Sequence, residues 1–238
     1  MDDYASYTHA DPSRVKRYLH RRRFADALRL LDLGPEDTLL DLGCGDGYLL
    51  SLAAARLPAG RLAGYEPAAE MADQARARLE PLGVTVAGDL AVLGDRRFTR
   101  LACLETLEHL PPSPLDALLA AASARLAPDG FLLASVPVEI GLPSLAKNLF
   151  RLARAPRRPD LDGRRLLRTL LGLPISRDDG QTLGSLPYHF SHVGFDHRRL
   201  ERRLAADFRV LARRGSPFPR LGAAVNTTLY YRLAPKCE

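Results

Sequence analysis

The sequence predicts an α/β protein on a seven-stranded sheet, mostly parallel, with an antiparallel C-terminal strand and a helical insertion after strand five. Three observations predict it. Short apolar runs alternate with helical periodicities as far as Pro137, which implies crossover connections and a parallel sheet. Two runs near the C-terminus follow each other with no helix between them, which implies a hairpin. The composition, 238 residues with 46% hydrophobic and 26% charged, suits one globular domain and argues against disorder or a fibrous chain.

Each element has a local reason. Residues 12–32 read as a helix because Val15, Tyr18, Leu19, Leu28 and Leu31 recur at three- and four-residue spacing, and Gly34-Pro35 ends it. Residues 38–42 form a short apolar strand, followed by a glycine turn and a helix through Leu49, Leu52 and Ala53. Residues 61–65 give a second strand, and residues 67–80 a helix with Pro67 in its first turn. Strands three and four fall at 84–86 and 98–104. Ser113 is placed to cap a helix over 115–126, and Pro128-Asp129-Gly130 turns into a fifth strand over 131–136. Residues 138–190 hold two basic helical pieces and a loop at Arg177-Asp178-Asp179-Gly180, and read as an insertion. A helix over 198–207, a strand over 208–212, a turn at Pro217-Phe218-Pro219 and a strand over 224–233 complete the domain, 1–238.

Charge and composition narrow the function. No apolar run reaches the roughly 18 residues of a spanning helix, and the polar, acidic N-terminus is unlike a secretory signal. Cys44, Cys103 and Cys237 show no C-x-x-C spacing, so a disulfide framework or cysteine zinc site is not expected and a cytoplasmic location fits. The net charge of +6 sits between Lys147 and Arg168, where eight basic residues face only Asp160 and Asp162. Overall basicity is therefore a poor argument for nucleic acid; the local patch is the better sign of an anionic partner.

The most informative motif is Asp41-Leu42-Gly43-Cys44-Gly45-Asp46-Gly47, between the first strand and the first crossover helix. Glycine lets the backbone turn sharply and approach a ligand closely. A P-loop would need Gly-Lys-Ser/Thr, which is missing, and a nicotinamide fingerprint would space its glycines as G-x-G-x-x-G. Asp41 and Asp46 would repel a pyrophosphate and attract an ammonium group. Glu66, ending strand two, is placed to accept from a ribose diol. Asp89, after strand three, could accept from an exocyclic adenine amine. A plainer reading stands beside each: a packing turn for the glycines, a surface acid for Glu66, a turn or helix cap for Asp89.

Taken together, Asp41-x-Gly43-x-Gly45-x-Gly47, Glu66, Asp89 and Leu104-Glu-Thr-Leu-Glu-His-Leu110 resemble the class I S-adenosylmethionine-dependent methyltransferases. Within these the chain is most similar to the group that holds the ubiquinone-pathway O-methyltransferases. The likeness covers residues 38–137 well, the terminal hairpin loosely and 138–190 hardly at all. It implies a Rossmann-like, doubly wound fold and S-adenosylmethionine as cofactor. It implies that Gly43, Gly45 and Gly47 line the methionine portion while Asp41 helps fix its amino group. Glu66 would take the ribose hydroxyls, and Asp89 and Leu90 would face the adenine. Residues 1–34 would form a helical lid closing through Tyr4, Tyr7 and His9, the alternative being a frayed terminus.

Methyl transfer from a sulfonium is an in-line displacement, so the protein supplies mainly proximity and orientation, with a base when the nucleophile is a hydroxyl. The candidate bases are His109, His189, His192 and His197. His197 opens a helix and reads as structural; His109 and His192 are the expected catalytic residues. Glu105, Glu108 and His109 lie just past strand four at spacings that let one helical turn gather them on Mg²⁺, Mn²⁺ or Zn²⁺. This E-x-x-E-H pattern resembles the metal motif of the ubiquinone-pathway group and of small-RNA 2′-O-methyltransferases. That resemblance implies His192 as a further ligand, with the metal lowering the pKa of an acceptor hydroxyl. Otherwise Glu108 and His109 cap a helix or pair with each other.

The expected acceptor is an oxygen of a small-molecule or lipid-linked compound. Nucleic acid is not expected, because Phe150 stands alone in the basic stretch and base stacking needs more. Leu142, Leu145, Leu149 and Leu152 recur at helical spacing with Lys147, Arg151 and Arg154 on the flanks. They form either a cap with leucines over the acceptor and arginines in water, or an amphipathic element making peripheral contact with an anionic membrane. A different class of function is a non-catalytic module that keeps the fold and uses the basic insertion to contact an anionic membrane or partner.

Overall fold

The computed structural model describes residues 14–154, 161–177, 180–184 and 186–236. Helix α1 (Arg14–Leu31) leads into β1 (Leu39–Leu42), α2 (Tyr48–Ala53), β2 (Leu62–Tyr65), α3 (Ala69–Leu79), β3 (Thr85–Ala87) and β4 (Phe98–Leu104). Next come α4 (Pro112–Arg125), β5 (Leu126–Pro137), α5 (Leu142–Arg154) and α6 (Gly163–Leu171). A small hairpin of β6 (Thr182–Leu183) and β7 (Leu186–Pro187) precedes α7 (His197–Asp207), β8 (Phe208–Ser216) and β9 (Thr228–Pro235). The main sheet has the order β3-β2-β1-β4-β5-β9-β8. β9 runs antiparallel to both neighbours, and the remaining pairs are parallel. This is the expected Rossmann-like, doubly wound sheet. Strand order reverses between β1 and β4, which opens the crevice where such sheets take ligands.

Helices cover both faces, so β1 buries all four of its residues instead of alternating. On one face α1, α2 and α3 bring Leu31, Leu50 and Leu79 against Leu39 and Phe131. On the other, α4 and α7 bring Leu119, Leu200 and Leu204 against Leu40 and Phe98. The sheet is thus held rigidly, and the ends of its parallel strands form a fixed rim for functional side chains.

Some boundaries differ from the sequence expectation. α4 begins at Pro112 with Pro111, not Ser113, in the capping position; proline suits a first turn whose N–H groups lack partners anyway. β5 takes in residues 126–130, because Leu126 pairs with Phe98 and Phe131 with Arg100. Pro128-Asp129-Gly130 therefore bulges within the strand rather than preceding it. β8 continues past Ala212, since its pairing with β9 extends to Ser216↔Thr228.

The insertion differs most. α5 and α6 pack on each other with polar inner faces: Ser144, Asn148 and Thr169 are buried, and Asn148 Nδ2 donates to Ser144 Oγ and Thr169 Oγ1. Leu142 and Leu149 are exposed, as is Phe150, while Lys147 and Arg151 turn inward to a buried Glu139. The expected cap, with leucines inside and basic residues in water, is met only in part: Leu145 and Leu152 are half-buried, while Leu142 and Leu149 face outward and Lys147 and Arg151 inward. Tyr4, Tyr7, His9, Arg157, Arg158, Asp178, Asp179 and Cys237 lie outside the described residues, with the side chain of Arg154. Among the described residues no helix is long and apolar enough to cross a membrane. Cys44 and Cys103 are buried and free, as small apolar side chains.

Candidate active site

After β1 the chain turns through three left-handed glycines, Gly43 (φ +72°), Gly45 (φ +57°) and Gly47 (φ +76°). Close approach also matters at two of them. A Cβ on Gly43 would lie 2.6 Å from Thr106 Cγ2, and one on Gly47 would lie 2.7 Å from Leu79 Cδ1. Gly45 meets only Met71 Cε at 3.6 Å, so there the backbone conformation decides. The Gly43 and Cys44 amides both donate to the Tyr65 carbonyl, at 2.8 and 3.0 Å. They are used inside the protein, so the loop is no phosphate cradle. Glu66 clamps the turn from the end of β2: Oε2 accepts from Gly45 N–H at 2.9 Å and Oε1 from Ala68 N–H at 3.0 Å. An ionised carboxylate has about four acceptor sites, so Glu66 keeps capacity for a ligand.

The electrostatics of this end are distinctive. Asp41 is buried, and burial together with Glu66 and Asp46 pushes its carboxyl up to about 8. Burial also raises Glu66, against the pull of the Ala68 and Gly45 amides. Asp46 has a countercharge, for Arg78 Nη2 donates to its Oδ2 at 2.9 Å and Arg78 Nε to its carbonyl at 2.8 Å. Among the described residues no basic side chain pairs with Asp41 or Glu66. Two buried carboxylates without a countercharge favour a cationic ligand. Asp89 caps the 3-10 turn Leu90–Leu93 through Ala91 N–H at 2.9 Å, so the cap reading holds there, with Leu90 packed on the core.

Across the crevice the chain leaves β4 through Glu105, which has φ +52°. Its carboxylate is engaged: Arg23 Nη2 of α1 lies 3.2 Å from Oε2, and the Ser135 hydroxyl donates to Oε1 at 3.3 Å. Only a 3-10 turn, Leu107–His109, follows. The helical register expected to gather Glu105 with Glu108 and His109 therefore does not form, because the left-handed Glu105 turns its side chain toward α1. Glu108 and His109 meet His192 instead, with one ligand atom of each within 4.8 Å of the others.

These three side chains have unusual surroundings. Glu108 is fully buried with no hydrogen-bond partner on either oxygen among the described residues; burial and Glu105 hold its carboxyl well above the usual range. His109 Nδ1 lies 2.6 Å from the His189 carbonyl. That oxygen can only accept, so Nδ1 carries the proton and Nε2 is left as an acceptor, 3.8 Å from Glu108 Oε1. Burial and His192 push His109 down to about 3. His109 Nε2 faces His192 Nε2 at 3.2 Å, Tyr188 stacks on the His109 ring at 4.6 Å, and Arg177 donates to the Glu108 and Ser191 carbonyls at 2.6 and 2.7 Å. His189 contributes backbone bonds to His109. His197 lies apart, at the start of α7 behind the Asp196 cap, in the structural role expected of it.

Thr106, Glu139, Arg177 and Tyr188 were not expected at the site. Glu139 carried a signal, as the one acid in the apolar run Val136-Pro-Val-Glu-Ile140 at a strand end. Tyr188 and Arg177 carried none, because segment 177–192 shows no periodicity and only tertiary packing places it.

A glycine turn after β1, an acid ending β2 and a cation-seeking pair at the switch point mark the class I, Rossmann-like methyltransferases. A family model described as a methyltransferase domain matches residues 8–171, and the chain belongs to that class I S-adenosylmethionine-dependent family. It is 34% identical over 156 residues to a trans-aconitate 2-methyltransferase of Streptomyces avermitilis, covering 60% of this chain and 57% of the relative. It is 33% identical over 132 residues to a protein-L-isoaspartate O-methyltransferase of Nitrobacter winogradskyi, covering 53% and 54%. This chain thus spans about half the length of the curated relatives it matches. A solved S-adenosylmethionine-dependent methyltransferase from Clostridium acetobutylicum shares the fold at TM-score 0.60 and 14% identity, covering 98% of this chain and 96% of that one.

Proposed function

We infer that the chain transfers a methyl group from S-adenosylmethionine to an oxygen of a small-molecule or lipid-linked acceptor. One observation carries this: the buried Asp41 and Glu66 on either side of the left-handed glycine turn, with no basic partner among the described residues. S-adenosylmethionine brings an ammonium, a sulfonium and a ribose diol. Asp41 would hold the ammonium, Glu66 the diol, and Gly43, Gly45 and Gly47 would lie along the methionine. Asp89 and Leu90 would border the adenine. These features favour cofactor use over a bare binding module. Residues 1–34 would act as a lid, which the Arg23–Glu105 ion pair supports, and 138–190 as the acceptor-side insertion of one domain.

Oxygen as the methylated atom draws support from the relative named an O-methyltransferase and from the acceptor-end groups. The acceptor oxygen must reach the sulfonium in line, which the fixed crevice serves by orientation. His109, with its low pKa, is a weak base, so His192 is the better candidate to take a proton. Glu108, His109 and His192 also fit a borderline divalent cation, since neither Glu108 oxygen has a hydrogen-bond partner among the described residues and one ligand atom of each residue lies within 4.8 Å of the others. A cation there would lower the pKa of an acceptor hydroxyl. Glu105 stands outside that set. Likeness to the ubiquinone-pathway group rests on Glu105-x-x-Glu108-His109. An outward apolar stripe, Leu142 (66% exposed), Leu149 (52%), Leu167 (55%) and Leu171 (59%), supports a lipid-linked acceptor and contact with an anionic membrane. Incubation with methyl-labelled S-adenosylmethionine and fractionated cell extract tests the acceptor class. Label is expected in a small-molecule or lipid fraction; label confined to RNA or protein would overturn it.

A further inference from the structure

The outer edge of the sheet carries a second concentration of positive charge, away from the glycine turn. Between Arg198 and Arg220 stand eight arginines against two acids, Glu201 and Asp207. Several of them answer to a carboxylate: Arg198 and Arg199 pair with Asp196, Arg203 with Asp116 and Asp207, and Arg213 with Glu201. Arg214 and Arg220 differ. Neither has a carboxylate within salt-bridge reach among the described residues, and Arg214 Nη1 donates only to the Arg213 carbonyl, at 3.2 Å. Both line one cleft.

That cleft, half-open and about 580 Å³ in volume, lies between the end of β8 and the loop that follows it. Arg213, Arg214 and Gly215 line it from the strand, and Arg220, Leu221 and Gly222 from the loop. The loop is shaped from within. Asn226 is fully buried; its Oδ1 accepts from Phe218 N–H at 2.8 Å, and its Nδ2 faces the Phe218 and Gly222 carbonyls at 3.0 Å. A Cβ on Gly215 would lie 2.1 Å from that Nδ2, so glycine is what lets the loop close on the strand. Thr227 ends the loop, and its carbonyl accepts from Val138 N–H at 2.9 Å and Lys147 Nζ at 3.0 Å. The backbone carrying Arg214 and Arg220 is therefore set before any ligand arrives.

A guanidinium presents its N–H donors in a planar fork that matches the oxygens of a phosphate. Two such groups without a countercharge, and a third shared with Glu201, suit an anion of about two charges, which a phosphate monoester has and a lone carboxylate lacks. Protection of an edge strand from pairing accounts for Arg209 and Arg213 on β8, but not for Arg220 on the loop. We propose that this cleft is a second binding site, which takes the phosphate group of a phosphorylated small molecule or of a lipid headgroup, held by Arg214 and Arg220 with Arg213 beside them. The site stands apart from the roles given to Asp41, Glu66, Glu108 and His192, and from the apolar stripe around Leu149.

The test is calorimetry of the whole chain at low ionic strength with two probes: inorganic pyrophosphate, and phosphatidylcholine vesicles with and without phosphatidic acid. Binding of pyrophosphate assigns the site to soluble phosphate compounds; binding of the phosphatidic acid vesicles alone assigns it to a headgroup. In either case Arg214→Gln/Arg220→Gln should weaken binding by about tenfold or more. Arg202→Gln/Arg209→Gln removes the same charge from exposed arginines outside the cleft and should change affinity by less than about twofold. All four positions are exposed, and circular dichroism checks that the variants fold. Binding of neither probe by wild type overturns the proposal. Equal losses in the two double variants also overturn it, because they would reduce the cleft to general surface charge. The apolar stripe is intact in Arg214→Gln/Arg220→Gln, so vesicle binding retained there belongs to the stripe and overturns the site.

Discussion

The two ends of the crevice are built on different plans. The proposed cofactor end lies within residues 41–89, where successive strand tips each place one group beside the next. The proposed acceptor end gathers residues 105–109, 139, 147–151, 177 and 188–192 from a strand tip, an inserted helix and an irregular loop. The first is held by backbone: glycine amides on the Tyr65 carbonyl and on Glu66. The second is held by side chains in low dielectric: His192 Nε2 meets His109 Nε2, and Lys147 and Arg151 hold Glu139. The difference separates two tasks. A cofactor common to a family can be met by rigid local geometry, whereas here the candidate acceptor groups are brought together by long-range packing.

Breaking the cofactor end should have the largest effect. Gly43→Val puts a β-branched residue at φ +72° and a Cβ 2.6 Å from Thr106. The left-handed backbone alone costs about 1–2 kcal/mol. We expect S-adenosylmethionine affinity to fall by on the order of 100-fold or more, checked by calorimetry with circular dichroism as the folding control. Near-normal affinity would show that the turn yields more than its contacts suggest.

The acceptor end should break separately. Glu108→Gln is expected to slow methyl transfer by about 10- to 100-fold while leaving cofactor affinity within about twofold. Activity lost in chelator should return with Mn²⁺, Mg²⁺ or Zn²⁺. Full turnover in excess chelator would end the cation reading and leave His192 to be tested as a base.

Proton linkage sharpens the comparison further. The Asp41 carboxyl at about 8 lies above its unfolded value of 3.8, so between those values the folded chain holds a proton the unfolded chain has lost. The contribution of this one carboxyl to the stability of the unliganded protein is full below 3.8 and is lost as pH rises through about 8. A cationic ligand requires Asp41 ionised. Binding near the middle of that window, at about pH 6, should therefore release up to about one proton per ligand, read from heats in buffers of different ionisation enthalpy. Asp41→Asn should abolish the release. No release from the wild type would assign the ammonium elsewhere.

The smallest effect concerns the apolar stripe of the insertion. Co-sedimentation should recover more protein with anionic than with neutral vesicles, by about threefold, and Leu149→Glu should remove the difference. Equal recovery of the wild type counts against membrane contact.

What the sequence disclosed follows the same division. Asp41, the glycines and Glu66 were legible because a short strand followed by alternating glycines leaves the backbone few options. Glu108, His109 and His192 were legible as residue types, but their grouping was not: one left-handed residue, Glu105, breaks the register that spacing implied. The outward turn of Leu142 and Leu149 on α5 was illegible because leucine periodicity reports an apolar face without saying which way it points. Lys147 and Arg151 face inward onto Glu139, and Lys147 also onto the Val138 and Thr227 carbonyls, acceptors that only the tertiary fold brings there.

The central claim, that this crevice is a binding site for S-adenosylmethionine, is tested most directly by isothermal titration of wild type and Glu66→Ala. Each charge-assisted bond at Glu66 is worth about 1.5–3 kcal/mol, so the variant should bind about ten- to hundredfold more weakly. Wild type should bind one equivalent per chain, with the variant weakened by that factor and still folded. No heat of binding from the wild type would contradict the claim outright, and equal affinity of the two proteins would place the ribose away from β2.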